Sequence, residues 1–182
     1  MSENNLYPIW LLPFAVTALS AYAVDYLSTA EAQHIIFPQQ QAIFIEAPAK
    51  LTKQQRKQIK SLSGVRQRKD VQPAWRVEDQ HGFLGWFIID DVVGKHEFIT
   101  YAVGISPQGE VLGVEIMAYR ETHGGEVRNA DWREHFQGKT LDDPFKLDKD
   151  VPNISGATLS SRNILDGVKR LLVLHKTVLQ MR

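Results

Sequence analysis

The chain has 182 residues, enough for one domain with a hydrophobic core and little more. At 43% hydrophobic and 23% charged it has ordinary globular composition, and 21 basic against 21 acidic residues leave no net footprint for DNA or RNA. The absence of cysteine excludes disulfides, thiolate metal sites, iron–sulfur clusters, c-type haem attachment and cysteine nucleophiles, so any redox chemistry needs a cofactor without a sulfur ligand.

From Leu6 to Val24 no residue is charged, and Trp10, Leu11, Leu12, Phe14, Val16 and Leu19 supply the apolar mass. Ala21-Tyr22-Ala23 has the small-x-small form of a signal-peptidase site. The residues before the run contain Glu3 and no Lys or Arg, unlike the usual positive start of a secretory signal. Residues 1–23 therefore read as a cleaved signal peptide or an uncleaved N-terminal membrane anchor, with a buried core helix as the third reading. Pro8 and Pro13 shorten the regular part toward the lower limit for spanning a bilayer. The first two readings place a single domain, 24–182, outside the cytoplasm.

Ser28-Thr29-Ala30-Glu31 has the form of a capping box, and Ala32, Ile35 and Ile36 follow on one helical face before Pro38. Ala42 to Ile45 is a short strand candidate. Thr52 caps a second helix with Ile59 and Leu62 expected inward and Gly64 as the stop. Its outer face carries Lys53, Arg56, Lys57 and Lys60, either a solvated face or a docking patch for an acidic partner.

The centre is β-rich. Phe83 to Val93 and Phe98 to Ile105 are aromatic and β-branched runs joined by Gly94-Lys95-His96. Pro107-Gln108-Gly109 marks a turn, and Val111 to Tyr119 returns from it as an antiparallel hairpin. Trp132 and Phe136 lie four apart on a short helix stopped near Gly138, and Asp142 to Asp150 is a polar loop. Ile164, Leu165, Val168, Leu171, Leu172, His175, Val178 and Leu179 then form one stripe at helical spacing, the mark of a long amphipathic helix packed on the sheet. His175 within the stripe reads as a core histidine rather than a metal ligand. The fold class is α+β: a twisted antiparallel sheet flanked by helices, with the C-terminal helix across one face.

Just before that helix lies Asn153-Ile154-Ser155-Gly156-Ala157-Thr158-Leu159-Ser160-Ser161. A tight loop of small residues feeding a helix N-terminus presents unpaired backbone N–H groups and the positive end of the helix dipole, which favour a phosphate. Gly156 and Ala157 permit close approach of a ligand, and the hydroxyls of Thr158, Ser160 and Ser161 surround the same point. A Ser/Thr-rich helix cap with no ligand is the competing reading. The spacing is neither that of a P-loop nor that of a dinucleotide fingerprint.

The run Ser155-Gly156-Ala157-Thr158 with Leu159-Ser160-Ser161 resembles the attachment sequence of the FMN-binding domain family, which includes the G subunit of the Rnf complex and the C subunit of the sodium-pumping NADH:quinone oxidoreductase. A second match runs from Gly113-Val114-Glu115-Ile116 through Tyr119-Arg120-Glu121-Thr122-His123-Gly124-Gly125-Glu126-Val127, where the family has a hairpin strand and a Glu-x-x-Gly-Gly loop near the flavin. The opening from Tyr26-Leu27-Ser28 to Phe37-Pro38 resembles the mature start of small exported members. The resemblance implies FMN bonded through its phosphate to Thr158 by a flavin transferase. It further implies a carrier that passes electrons between a membrane-bound or periplasmic redox partner and an acceptor, on the extracytoplasmic side of the inner membrane.

One departure stands out: family sites often have Asp three positions before the Ser/Thr of the run, and here that position is Pro152, with Asp150 two residues further upstream. Around the implied flavin, Gly124 and Gly125 read as backbone close to the ring or as a plain turn. Lys95 and His96 read as a positive charge stabilising the reduced flavin or as a solvated strand connection. Trp75 and Trp86 read as stacking partners or core residues, and Arg162 as a phosphate partner or a solvent-facing side chain. No Ser/His/Asp arrangement, no His-x-x-x-His and no acid/base pair beyond Asp90-Asp91 suggests substrate turnover. The rival readings are a flavin-dependent reductase, which needs an open pocket beside the flavin, and a flavin-binding sensor module.

Overall fold

The structure is a computed structural model, and it describes residues 24–181. The segment read as a signal peptide or anchor, residues 1–23, lies outside the described residues. In chain order the elements are β1 (Val24–Asp25), α1 (Thr29–Ile36), β2 (Ile43–Glu46), β3 (Ala49–Lys50), α2 (Lys53–Ser63), β4 (Val71–Gln72), β5 (Ala74–Asp79), β6 (Gly82–Val93), β7 (Phe98–Ile105), β8 (Val111–Tyr119), a 3-10 turn (Gly125–Arg128), α3 (Ala130–Glu134), α4 (Thr158–Leu174) and a π-helical end (His175–Leu179). Among these none is a helix long and apolar enough to cross a membrane.

The main sheet has six strands in the order β1-β8-β7-β6-β5-β2, every pair antiparallel, and β3 pairs with β4 in a small separate ribbon. Because side chains alternate along a strand, each face of the sheet has its own core. On one face Trp86, Ile88, Tyr101, Val103, Val114 and Ile116 pack against Ile164, Leu165, Val168, Leu171 and Leu172 of α4. On the other, Phe87, Ala102 and Met117 pack against Ala32 and Ile36 of α1 and Phe37 behind it. The molecule is thus a three-layer α+β domain, with the C-terminal helix across one sheet face as its apolar stripe demands.

The helix starts follow the capping chemistry. Ser28 accepts from the Glu31 backbone N–H while the Glu31 carboxylate accepts from Ser28, and Thr52 and Gln55 repeat the arrangement at α2. Gly64 closes α2 in the left-handed conformation at φ 79°.

Several expectations need correction. Leu62 is 56% exposed rather than inward, because α2 touches the body only along the narrow stripe of Ile59 and Ser63, and Leu62 falls on its flank. The helix carrying Trp132 stops at Glu134. Phe136 follows in a hydrogen-bonded turn, its ring edge-on to Trp132 at 5.2 Å. The last helix is not α throughout: from His175 it widens into the π-helical end. The strand β5, with its charged Arg76, Glu78 and Asp79, has no clear period in the sequence; pairing with β2 and β6 on either side makes it a strand.

Candidate functional site

The candidate site forms where the end of β8, the loop after it and the start of α4 meet. The loop Ile154–Ala157 closes with the Ala157 N–H donating to the Ile154 carbonyl at 3.0 Å, and Gly156 holds φ at +80° with open space where a side chain would project. Ala157 occupies the N-cap of α4 and no side chain caps the helix there. The cap hydroxyls that usually satisfy the first N–H groups are absent from this position, which leaves those donors and the helix dipole without a side-chain partner.

The three neighbouring hydroxyls separate by burial. Ser160 is 3% exposed, with its Oγ 3.3 Å from the Tyr119 hydroxyl, and Ser161 is fully buried with no partner for its Oγ. Thr158 alone reaches the surface, and Leu159 beside it is 46% exposed.

Glycine geometry locks the β8 loop onto this helix start. Gly124 has φ +83°, and a Cβ there would overlap the Ala157 methyl and come within 2.7 Å of the Tyr119 hydroxyl. That hydroxyl also donates to the His123 carbonyl, so one phenol ties the strand end, the loop and the first turn of α4 together. Burial pushes the Tyr119 hydroxyl pKa up, only partly offset by its contact with Ser160. Gly125 differs: its φ is not positive, it opens the 3-10 turn, and the nearest group to its missing side chain is the Arg128 guanidinium, which donates to the Gly125 carbonyl and lies over the Tyr26 ring.

Glu121 and the Lys95–His96 turn are brought together. The Glu121 carboxylate accepts from the His96 N–H at 2.6 Å and the Glu97 N–H at 3.0 Å. Burial works against its charge, but the backbone donors of Glu97, His96 and Lys95 prevail and hold its pKa below the usual carboxylate range. Lys95 and His96 keep their side chains exposed on the turn so held.

Other candidates are placed elsewhere. Trp86 is 2% exposed in the core beneath α4, and Trp75, half-buried on the opposite sheet face, packs on Phe87 at 5.5 Å. Arg162 is exposed one turn into α4. The Pro152 carbonyl accepts from the Trp132 indole N–H at 2.8 Å. Asp150 is engaged within its own loop, accepting from the Lys146 N–H at 2.8 Å and lying 3.9 Å from Lys139 Nζ. Among the described residues no three His, Asp or Glu gather as a metal site, and His175 is buried with its Nε2 unpartnered.

One feature was missed from sequence. A cavity of about 590 Å³ opens between the 65–69 segment, the ends of β6 and β7, and Asn163, Asp166 and Arg170 of α4. In its wall Asp90, 2% exposed, pairs with Arg170, 4% exposed, and accepts from the Tyr101 hydroxyl at 2.8 Å; Arg170 also donates to Gln67. Beside it Asp91 holds Lys69 and Thr100, each at 2.7 Å. Burial and the nearby Asp90 charge push the Tyr101 pKa well up, and burial raises that of Asp166. The available signal was register: Ile88, Asp90 and Val92 alternate onto the buried face, and an inward carboxylate needs a cation.

The model of the FMN-binding domain family matches residues 94–173, a span that holds all the candidate site residues of the turn, the β8 loop and the start of α4. The G subunit of the ion-translocating oxidoreductase complex of Shewanella oneidensis is 40% identical over 88 residues, covering 42% of this chain and 42% of that protein. The G subunits of the same complex from Pseudomonas aeruginosa and Salmonella typhimurium are 33% identical over 85 residues and 35% over 83. In both cases the match covers 40% of the relative. The chain therefore spans about two-fifths of the length of the relatives it matches. Among solved structures, NqrC of Shewanella oneidensis aligns with a TM-score of 0.49 at 19% identity, over 61% of this chain and 59% of that one. The similarity to the FMN-binding domain family thus rests on residues 94–173, 80 of the chain's 182 residues.

Proposed function

We propose that this chain is an exported electron-transfer protein whose FMN is esterified through its phosphate to Thr158. The observation that carries the reading is the start of α4: an uncapped helix N-terminus inside the family-matched span, where Thr158 is half-buried while Ser160 and Ser161 are buried. The residues fit the group. A phosphate needs N–H donors, a favourable dipole and room, and the open side of Gly156 and the unsatisfied first turn offer all three.

FMN supplies one- and two-electron transfer when bound. The chain's own residues do the rest. The first turn of α4 and the exposed Arg162 favour the phosphate's negative charge. Gly124 and Tyr119 fix the β8 loop against Ala157, and Glu121 holds the turn that displays the Lys95 ammonium and the His96 imidazole, the former a cation suited to a reduced, anionic flavin. The relatives named as subunits of an ion-translocating oxidoreductase complex support a membrane-bound redox partner. Attachment requires a flavin transferase. Because Pro152 stands where a carboxylate is usual and Asp150 is engaged, native loading should be incomplete.

Peptide mass mapping of protein made with the transferase present tests the assignment. Thr158→Val should leave a folded chain without covalent flavin, and Pro152→Asp should raise loading, since Pro152 is exposed and its carbonyl bond to Trp132 survives the change. An adduct on Ser160 or Ser161, or flavin fluorescence surviving denaturation of Thr158→Val, would overturn it. N-terminal sequencing of the native protein tests export, and an intact chain in the cytoplasm would contradict it. The cavity beside α4 favours a second reading, a flavin-dependent reductase of a small molecule; steady-state turnover with candidate acceptors separates the two.

A further inference from the structure

We propose that the lysine-rich face formed by α2 and the C-terminal end of α4 docks on an anionic phospholipid surface, independently of the flavin site. Between Ala47 and Lys69 the chain carries eight basic and no acidic residues; Arg66, Arg68 and Lys69 line the cavity beside β6, where Lys69 pairs with Asp91, and the rest lie on or just before α2. Arg56 is paired with Asp70, but Lys53, Lys57 and Lys60 are exposed along α2. On the other flank of α2 lies a groove of about 530 Å³ with Leu62, Leu141, Val173 and Met181 as apolar lining and Lys169 and Lys176 beside them; none of its lining residues is acidic. Leu62 is 56% and Met181 76% exposed, which leaves two aliphatic side chains outward among lysines.

The composition decides between a protein and a lipid occupant. Protein interfaces favour Trp, Tyr and Arg at their centres and are depleted in Lys. Lysines around exposed aliphatics, without an aromatic, fit instead a headgroup layer, with ammonium groups on phosphates and the short apolar tips just below. Position agrees: Lys169 lies eleven residues beyond Thr158, about 16 Å at ~1.5 Å per residue, and Lys176 is further still. Docking at this end of α4 therefore leaves the end bearing Thr158 free for a redox partner.

The chain has no cysteine, so a polarity-sensitive fluorophore can be placed on Leu62→Cys alone in the full-length protein. Its emission should shift to the blue on phosphatidylcholine vesicles containing phosphatidylglycerol, not on phosphatidylcholine alone, and salt should reverse the shift. A label on Ile43→Cys, at a 61% exposed position of the edge strand β2, should not move. Lys57→Gln with Lys176→Gln should weaken partitioning about 25-fold, from about fivefold per lysine near an anionic surface. Retention through the uncharged run of residues 6–24 would be alike on both vesicle types and drops out of the comparison. A silent Leu62 label, an equal shift on neutral vesicles, or a shift elicited only by polyglutamate would overturn the proposal, the last in favour of an acidic protein partner.

Discussion

At Gly124 two constraints coincide. Its φ of +83° is costly for any side chain, and a Cβ there would overlap Ala157 and press on the Tyr119 hydroxyl. Gly124→Ala should therefore cost about 2–4 kcal/mol in urea unfolding, combining backbone strain with overpacking. Gly125→Ala, free of the backbone strain and meeting first the Arg128 guanidinium at 3.0 Å, should cost less, about 1 kcal/mol. If both glycines serve only as a generic turn, the two variants will unfold alike. The sequence showed a Gly-Gly pair without showing which residue bears the constraint, because that depends on Ala157, 33 positions away. A second residue-scale consequence concerns pH. Burial lowers the pKa of His175, so the folded state resists the proton that the unfolded chain accepts near pH 6.5. Stability from this residue is complete above about pH 6.5 and falls as pH drops below it. Unfolding midpoints measured from pH 7.5 down to 5 should decline in the wild type and decline less in His175→Leu.

Between elements, the Asp90–Arg170 pair joins β6 to α4 inside the core, with Tyr101 and Gln67 completing its hydrogen bonds. Removing one partner leaves a buried charge alone, so Arg170→Met should cost about 3–5 kcal/mol. Asp90→Leu combined with Arg170→Met removes both charges and should regain most of that loss. A double-mutant cycle by urea unfolding measures the coupling, and additive single costs would show the pair is not a unit. Much of the elements' arrangement was legible beforehand. The α4 stripe, the capping boxes at Ser28 and Thr52, and the hairpin at Pro107-Gln108-Gly109 are local signals, and the structure realises each of them. Arg170 was not legible, because a charged residue amid a helix reads as solvent-facing until the strand beneath presents a carboxylate. Leu62 failed in the opposite sense: its helical spacing from Ile59 suggested burial, but no neighbouring element extends far enough to cover it. The loop Ile154–Ala157 before α4 was the most legible part of the candidate site, since its residue order is local. The burial that separates Thr158 from Ser160 and Ser161 depends on Tyr119 and the core and emerges only on folding.

At the scale of the whole molecule, the family-matched span and the folding unit do not coincide. Residues 94–173 contain β7, β8, α3 and α4, but of the six strands in the main sheet they contribute only two. The strand β6, beside β7, carries Trp86, Phe87 and Ile88, each at most 2% exposed, and these fill both faces of the sheet at its centre. Without residues 24–93 the inner faces of α4 and of the β7–β8 hairpin would lie open to water. A two-stranded sheet with one long helix and the five-residue α3 buries too little apolar surface to offset its chain entropy. A fragment of residues 94–182 should therefore show no cooperative thermal transition by circular dichroism. Mixed with a fragment of residues 24–93 it should recover one, because the missing strand edge of β7 and the uncovered face of α4 are complementary to β6 and α2. A cooperative transition from the 94–182 fragment alone would show that the family-matched segment is autonomous and that the N-terminal half is an accessory layer. Failure of the mixed fragments to associate would mean instead that the continuous Val93–Gly94 connection is needed to bring β6 and β7 into register.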